Sequence, residues 1–160
     1  MESLCGVFML VYLVDDLGEN GEYAGFLQTY RMELPQFDLH VFDNYHSLIH
    51  AVTKKMPDVI LADMRFDTTP RDMLYGDIDG LAESDAFCGN KTRAEAHVRG
   101  MQGLLICRAL RESKIAVPII LFASLPQNVA AHVSKTLAPI TIIEGLIFNR
   151  VRESLEKIIA

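Results

Sequence analysis

The most informative stretch of the sequence is VFMLVYLVDD, residues 7–16, in which eight apolar residues run directly into two adjacent aspartates. A continuous apolar run of this length is typical of a β-strand that is buried on both faces, as in a parallel sheet covered by helices. The acidic side chains fall where the strand ends. The stretch therefore predicts a buried strand that delivers Asp15 and Asp16 to one edge of a sheet.

Four more apolar segments of strand length follow, and three of them lie just after a proline. Proline fits near the start of a strand, where its missing N–H costs little. Segments with helical spacing of apolar residues separate them. We predict strands at 38–42, 59–62, 119–122 and 141–143, and helices at 23–32, 47–55, 102–112, 127–136 and 148–159. This alternation predicts an α/β fold, a doubly wound parallel sheet of five strands in the order 2-1-3-4-5.

One long stretch interrupts the alternation. Residues 64–101 separate the third strand from the next helix, whereas such connections usually need roughly 2–6 residues. The stretch is rich in polar turn residues, and we predict a helix near its end, at 92–99. We therefore expect residues 1–160 to form a single domain with an insertion at about 66–101.

Composition narrows the classes of protein that fit. The chain has 160 residues, half of them apolar, which excludes a disordered or collagen-like chain. Its formal net charge of −6, with scattered basic residues, argues against direct binding of nucleic acid. The apolar run at 4–14 is too short to span a membrane, and no basic residue precedes it as in a secretion signal. Three cysteines without CxxC spacing favour a reducing, cytoplasmic location.

Three aspartates are predicted to meet at one end of the sheet. Asp15 and Asp16 follow the first strand, and Asp63 follows the third, which is its neighbour in the predicted order. Ligands of open α/β sheets bind outside the carboxyl ends of the strands. Clustered carboxylates need a positive counter-charge, and oxygen ligands suit Mg²⁺. The acidic loop after the first strand lacks a glycine-rich anion cradle, so the site favours a cation.

Four motifs give the chain a recognisable resemblance: VYLVDD at 11–16, PDVILAD at 57–63, MQGLL at 101–105 and VPIILF at 117–122. Over 6–65 and 101–159 the chain resembles a response-regulator receiver domain of two-component signalling, of the chemotaxis-regulator type, which has a flavodoxin-like fold. The resemblance implies that Asp63 accepts a phosphoryl group from a histidine kinase or a phosphotransfer protein. It also implies that Mg²⁺ binds Asp15, Asp16, Asp63 and the backbone carbonyl of Arg65.

The chain departs from this family at the positions that transmit the signal. Ala123 stands where the family has a serine or threonine, and Ser124 lies one residue late. Thr141 replaces the aromatic switch residue, and Glu144 replaces the lysine. Glu144 either adds a fourth carboxylate to the pocket or points away from it. Five basic residues are candidates to offset the negative charge: Arg65, Arg71, Lys91, Arg93 and Arg99.

Three functions remain open at this point. The chain is a phosphoryl-accepting receiver with atypical signalling, or a pseudo-receiver that binds proteins without phosphorylation. An aspartate-nucleophile phosphatase is disfavoured, because Met64 and Arg65 follow Asp63 and no second aspartate stands two residues on. We expect no enzyme activity beyond phosphorylation and dephosphorylation of Asp63. Expected partners are the kinase or phosphotransfer protein and an output domain or partner protein, with a homodimer as an open alternative and no membrane.

Overall fold

A parallel five-stranded sheet in the order β2-β1-β3-β4-β5 forms the centre of the computed structural model, which describes residues 9–18, 24–145 and 147–159. The strands are β1 (Met9–Val14), β2 (Phe37–Phe42), β3 (Val59–Asp63), β4 (Ile119–Phe122) and β5 (Ile140–Ile143). The predicted fold class and strand order are confirmed. The first two residues predicted for β1, Val7 and Phe8, lie outside the described residues.

Helices cover both faces of this sheet. They are α1 (Ala24–Glu33), α2 (Tyr45–Lys54), α3 (Ile78–Glu83), α4 (Lys91–Gly100), α5 (Gln102–Glu112), α6 (Gln127–Thr136) and α7 (Phe148–Ile159). The last three helices have the predicted boundaries. The side chain of Asn44 caps α2 by accepting a hydrogen bond from the Ser47 N–H. None of the described helices has the length and apolar character needed to cross a bilayer.

Alternate residues of β1 serve two separate apolar clusters. Val11 and Leu13 pack in the cluster that contains residues of α1 and α7. Tyr12 and Val14 belong to the opposite cluster, which contains residues of α2, α5 and α6. This two-sided burial is the reason that the strand has an unbroken apolar sequence.

The β3–α5 segment, residues 64–101, contains a 3₁₀ turn at Arg71–Met73 followed by α3 and α4. The helix predicted at 92–99 is confirmed as part of α4. The sequence analysis did not predict α3, which the Asp77 side chain caps by accepting from the Gly80 N–H. Seven apolar side chains of the segment are buried in the same core as α2 and α5: Met64, Phe66, Leu74, Ile78, Ala82, Ala94 and Val98. The segment is therefore part of the packed structure. Its description as an insertion into a single domain stays a prediction.

Candidate functional site

The three predicted aspartates come together at the carboxyl edge of the sheet. β1 pairs with β3 in register Val14 to Ala62, so the residues that follow these two emerge side by side. Asp15, Asp16 and Asp63 each offer a carboxylate oxygen, and these oxygens all lie within 4.8 Å of one another. The predicted convergence is confirmed.

Asp15 is the buried member of this cluster. It is 2% exposed, and its Oδ2 atom has no hydrogen-bond partner among the described residues. Burial, the charge of Asp63, and a hydrogen bond and charge from Asp16 together raise the pKa of Asp15 to about 8. Removal of a carboxylate from water disfavours its charged form unless a cation or a donor compensates. The site therefore lacks positive charge at Asp15.

This donor set fits Mg²⁺. The cluster consists of carboxylate oxygens, one of them buried without a partner, and Mg²⁺ prefers oxygen ligands. Asp63 and Asp16 also line an open cavity of about 600 Å³, which leaves room for water and a small anion beside the carboxylates. Arg65, whose backbone carbonyl is the fourth predicted ligand, lines the same cavity.

Asp16 is held by a residue that the sequence analysis missed. The backbone N–H of Thr68 and its Oγ1 hydroxyl both donate to Asp16 Oδ2, at 3.1 and 2.9 Å. Thr68 belongs to the β3–α5 segment, 52 positions along the chain from Asp16. In the sequence it was one of several polar turn residues, and no local signal distinguished it from Thr69.

The basic residues considered as counter-charges have other partners in the structure. Arg71 pairs with Asp79 and Glu95, Lys91 pairs with Asp79, Arg99 pairs with Glu95, and Arg93 lies 5.8 Å from the centre of the Phe87 ring. Arg65 pairs with Asp67 at 3.2 Å, and both of these side chains are exposed. Of the five, Arg65 lines the cavity. Asp67 lines it too, so this pair adds no net positive charge.

Glu144 does not line the cavity that Asp16 and Asp63 line. Its side chain accepts a hydrogen bond from Ser124 Oγ at 3.0 Å, and it lines a neighbouring groove between α6 and β5 together with Thr141. The second of the two predicted alternatives for Glu144 is therefore observed. The N-cap residue of α6 is Pro126, which makes no side-chain cap bond. Ala123 is buried and lines the cavity with a methyl group.

The architecture is shared with solved structures of receiver domains. The receiver domain of a Francisella response regulator is 16% identical and superposes with a TM-score of 0.61, over 94% of this chain and 95% of that one. The signal receiver domain of a LuxO repressor-like protein from Vibrio parahaemolyticus is 15% identical, with a TM-score of 0.59 over 94% and 88% of the two chains. The chain has the receiver fold.

A third structure with the receiver fold is the response regulator TrrA from Thermotoga maritima, in complex with Mg²⁺–BeF. It is 14% identical, with a TM-score of 0.56 over 94% of this chain and 98% of that one. No family model and no curated protein sequence matches the chain. At these identities the likeness establishes the receiver fold alone.

Proposed function

We propose that this protein is a two-component response-regulator receiver domain that accepts a phosphoryl group on Asp63 with Mg²⁺, and whose signalling is atypical. The observation that carries the proposal is a buried oxygen of Asp15 that has no partner among the described residues, within a cluster of three carboxylates. Such a cluster is stable in its charged form when a cation binds it. The receiver fold and its similarity to a regulator solved with Mg²⁺–BeF support the same function.

In the proposed reaction a carboxylate oxygen of Asp63 attacks the phosphorus of a phosphohistidine. The new O–P bond forms as the N–P bond breaks, and the histidine nitrogen keeps the electron pair. Asp15, Asp16, Asp63 and the backbone carbonyl of Arg65 would hold the metal. Mg²⁺, when bound, supplies positive charge that offsets the charge of the transferring oxygens.

The rest of the site explains why the signalling is expected to be atypical. Ala123 offers no hydroxyl, and Glu144 offers no cation to a phosphoryl oxygen. The hydroxyl of Ser124, one residue later in the chain, already donates to Glu144. The phosphorylated state would therefore be held by the metal and the backbone more than by side chains of β4 and β5.

The proposal also covers the partners, the location and the catalytic activity of the protein. The phosphoryl donor is a histidine kinase or phosphotransfer protein, and the signal passes to an output domain or partner protein, with a homodimer as an alternative. The net charge of −6 argues against direct binding of nucleic acid. We infer a cytoplasmic location and no catalysis beyond self-phosphorylation and dephosphorylation at Asp63.

A second candidate is a pseudo-receiver that binds proteins without phosphorylation. The Ser124–Glu144 hydrogen bond favours it, because it engages the hydroxyl that follows β4 with a carboxylate. The two candidates differ in one measurable property, which is covalent modification of Asp63.

Intact mass after incubation with acetyl phosphate and Mg²⁺ tests the proposed function. We expect the wild type to gain one phosphoryl group and Asp63→Asn to gain none. Asp67→Asn is the matched control, because Asp67 is an exposed carboxylate that lines the same cavity, and it should still be modified. If the folded wild type gains no mass, the pseudo-receiver is the better description.

Restoring the missing lysine is expected to strengthen anion binding. Glu144→Lys should tighten binding of beryllofluoride in the presence of Mg²⁺ by about 10-fold, or about 1.4 kcal/mol. The reason is that an ammonium group replaces a carboxylate and donates a charge-assisted hydrogen bond to the bound anion. Ala123→Thr should add to this gain, since the two positions would contact the same anion. Fluorescence titration or calorimetry measures the affinity.

The control for charge alone is Glu156→Lys, on the exposed surface of α7. It changes the net charge equally and should leave beryllofluoride affinity unchanged. Equal gains from both lysine variants would mean that long-range charge, rather than contact at position 144, causes the effect. If no variant binds beryllofluoride, the proposed phosphoryl site is wrong.

A further inference from the structure

The β3–α5 segment contacts the acidic cluster through Thr68. The backbone N–H and the hydroxyl of Thr68 both donate to a single oxygen of Asp16. A carboxylate with one oxygen held by two donors has few remaining orientations. The second oxygen of Asp16 is thereby oriented before any ligand binds.

Thr68 is itself held in place from α4. Arg99 Nη1 donates to the backbone carbonyls of Phe66, Asp67 and Thr69, at 3.1, 3.4 and 2.7 Å. The Phe66 N–H in turn donates to the Arg99 carbonyl at 2.9 Å. Phe66 and Thr69 are buried on either side of Thr68. Residues 66–69 thus form a loop whose backbone is fixed by a single arginine.

We infer that Thr68 is a positioning residue for the metal ligand Asp16, and that Arg99 holds Thr68 in position. This inference rests on the proposed function, since it takes Asp16 as a ligand of Mg²⁺. Hydrogen bonds that orient a metal ligand typically change metal affinity by about 10–100-fold. The β3–α5 segment therefore sets the affinity of the acidic cluster for a divalent cation.

The coupling between Thr68 and the bound metal is reciprocal. If Thr68 favours the metal-bound arrangement of Asp16, then bound metal must favour the ordered arrangement of residues 66–69 by the same free energy. The path from the cluster to α4 passes through Asp16, Thr68 and Arg99. It does not include Ala123 or Glu144, the two positions where the hydroxyl and the lysine of the family are missing.

Calorimetric titration with Mg²⁺ tests the inference on the full chain. Thr68→Val removes the hydroxyl donor with little change of shape, and we expect about 10-fold weaker binding. Thr68→Ser keeps both donors and should bind within about 2-fold of the wild type. Arg99→Met removes the three bonds to the loop and should weaken binding without a change at Asp16 or Thr68. Thr53→Val is the matched control, because its exposed hydroxyl donates to the His50 carbonyl within α2.

Hydrogen exchange supplies a second measurement that does not depend on activity. Mg²⁺ should slow exchange of the Phe66 and Thr68 amides in the wild type and in Thr68→Ser, and less so in Thr68→Val. If the wild type binds Mg²⁺ and Thr68→Val binds it equally well, the inference is wrong while the proposed function stands. If the folded wild type does not bind Mg²⁺, both are wrong. Should Arg99→Met fail to fold, the valine and serine variants decide the outcome.

Discussion

Asp15→Asn is expected to raise the stability of the metal-free protein and to abolish its stabilisation by Mg²⁺. Asp15 is almost fully buried, and its pKa is raised to about 8, so the folded protein must take up a proton there at neutral pH. Asparagine has the same shape and no such requirement. At about 1.4 kcal/mol per pH unit, over the roughly 3 units between the ordinary aspartate pKa and pH 7, we expect a gain on the order of 4 kcal/mol near pH 7.

The direction of the pH dependence follows from the same shift. The pKa of Asp15 is higher in the folded protein than in the unfolded chain, so between about pH 4 and about pH 8 the folded state binds more protons. The contribution of Asp15 to the stability of the metal-free wild type is therefore fully present below about pH 4. It is lost as the pH rises through about 8, by up to about 1.4 kcal/mol per pH unit. Asp15→Asn removes this slope.

Urea unfolding across this pH range, with and without millimolar Mg²⁺, measures both effects. Mg²⁺ should stabilise the wild type most at the upper end of the range, where it replaces the proton on Asp15, because it binds the folded state only. Asp16→Asn should also lose the response to Mg²⁺. Its gain without metal should be smaller, because Asp16 is half-buried and already has two donors from Thr68. A wild-type stability that is independent of both pH and Mg²⁺ would contradict the proposed site.

Gly103→Ala is expected to destabilise the fold and to disrupt the acidic cluster together. Gly103 lies in the first turn of α5, and its N–H donates to the Met64 carbonyl at 2.9 Å. A Cβ at this position would overlap the carbonyl oxygen of Asp63 and lie 2.8 Å from Met64 Cα. These are backbone atoms, so the helix or the end of β3 must move. We expect a loss of about 3 kcal/mol, the upper end for overpacking, and clearly weaker Mg²⁺ binding.

Gly25→Ala, in α1, is the matched control for this substitution. Its added Cβ meets nothing within 4 Å, so alanine there should leave stability unchanged or raise it by up to about 1 kcal/mol. Mg²⁺ affinity should not change. Thermal unfolding and calorimetric titration of the two variants separate the general effect of a methyl group from contact with β3. Wild-type stability and metal affinity in Gly103→Ala would show that α5 does not constrain Asp63.

Much of the fold was predictable because its signals are local. The unbroken apolar run of β1 is the direct consequence of burial on both faces, and the helices show their apolar spacing in the sequence. The meeting of Asp15 and Asp63 followed from topology alone, since the carboxyl ends of neighbouring parallel strands lie at the same edge. The exact ends of α5, α6 and α7 were predicted for the same reason, because the helical spacing of apolar residues begins and stops at these positions.

The sequence by itself determined the strand order, the location of the site and its negative charge, because the alternation of strands and helices and the residues at the strand ends carry that information. The tertiary structure alone decided what each acidic residue does. Asp15 and Asp16 are identical neighbours in the sequence, yet the first is buried with an oxygen that no described residue contacts by a hydrogen bond, and the second is bound by Thr68. Likewise, Glu144 turns to Ser124. These differences depend on residues 20 to 52 positions away, and contacts at such distances arise only when the chain packs.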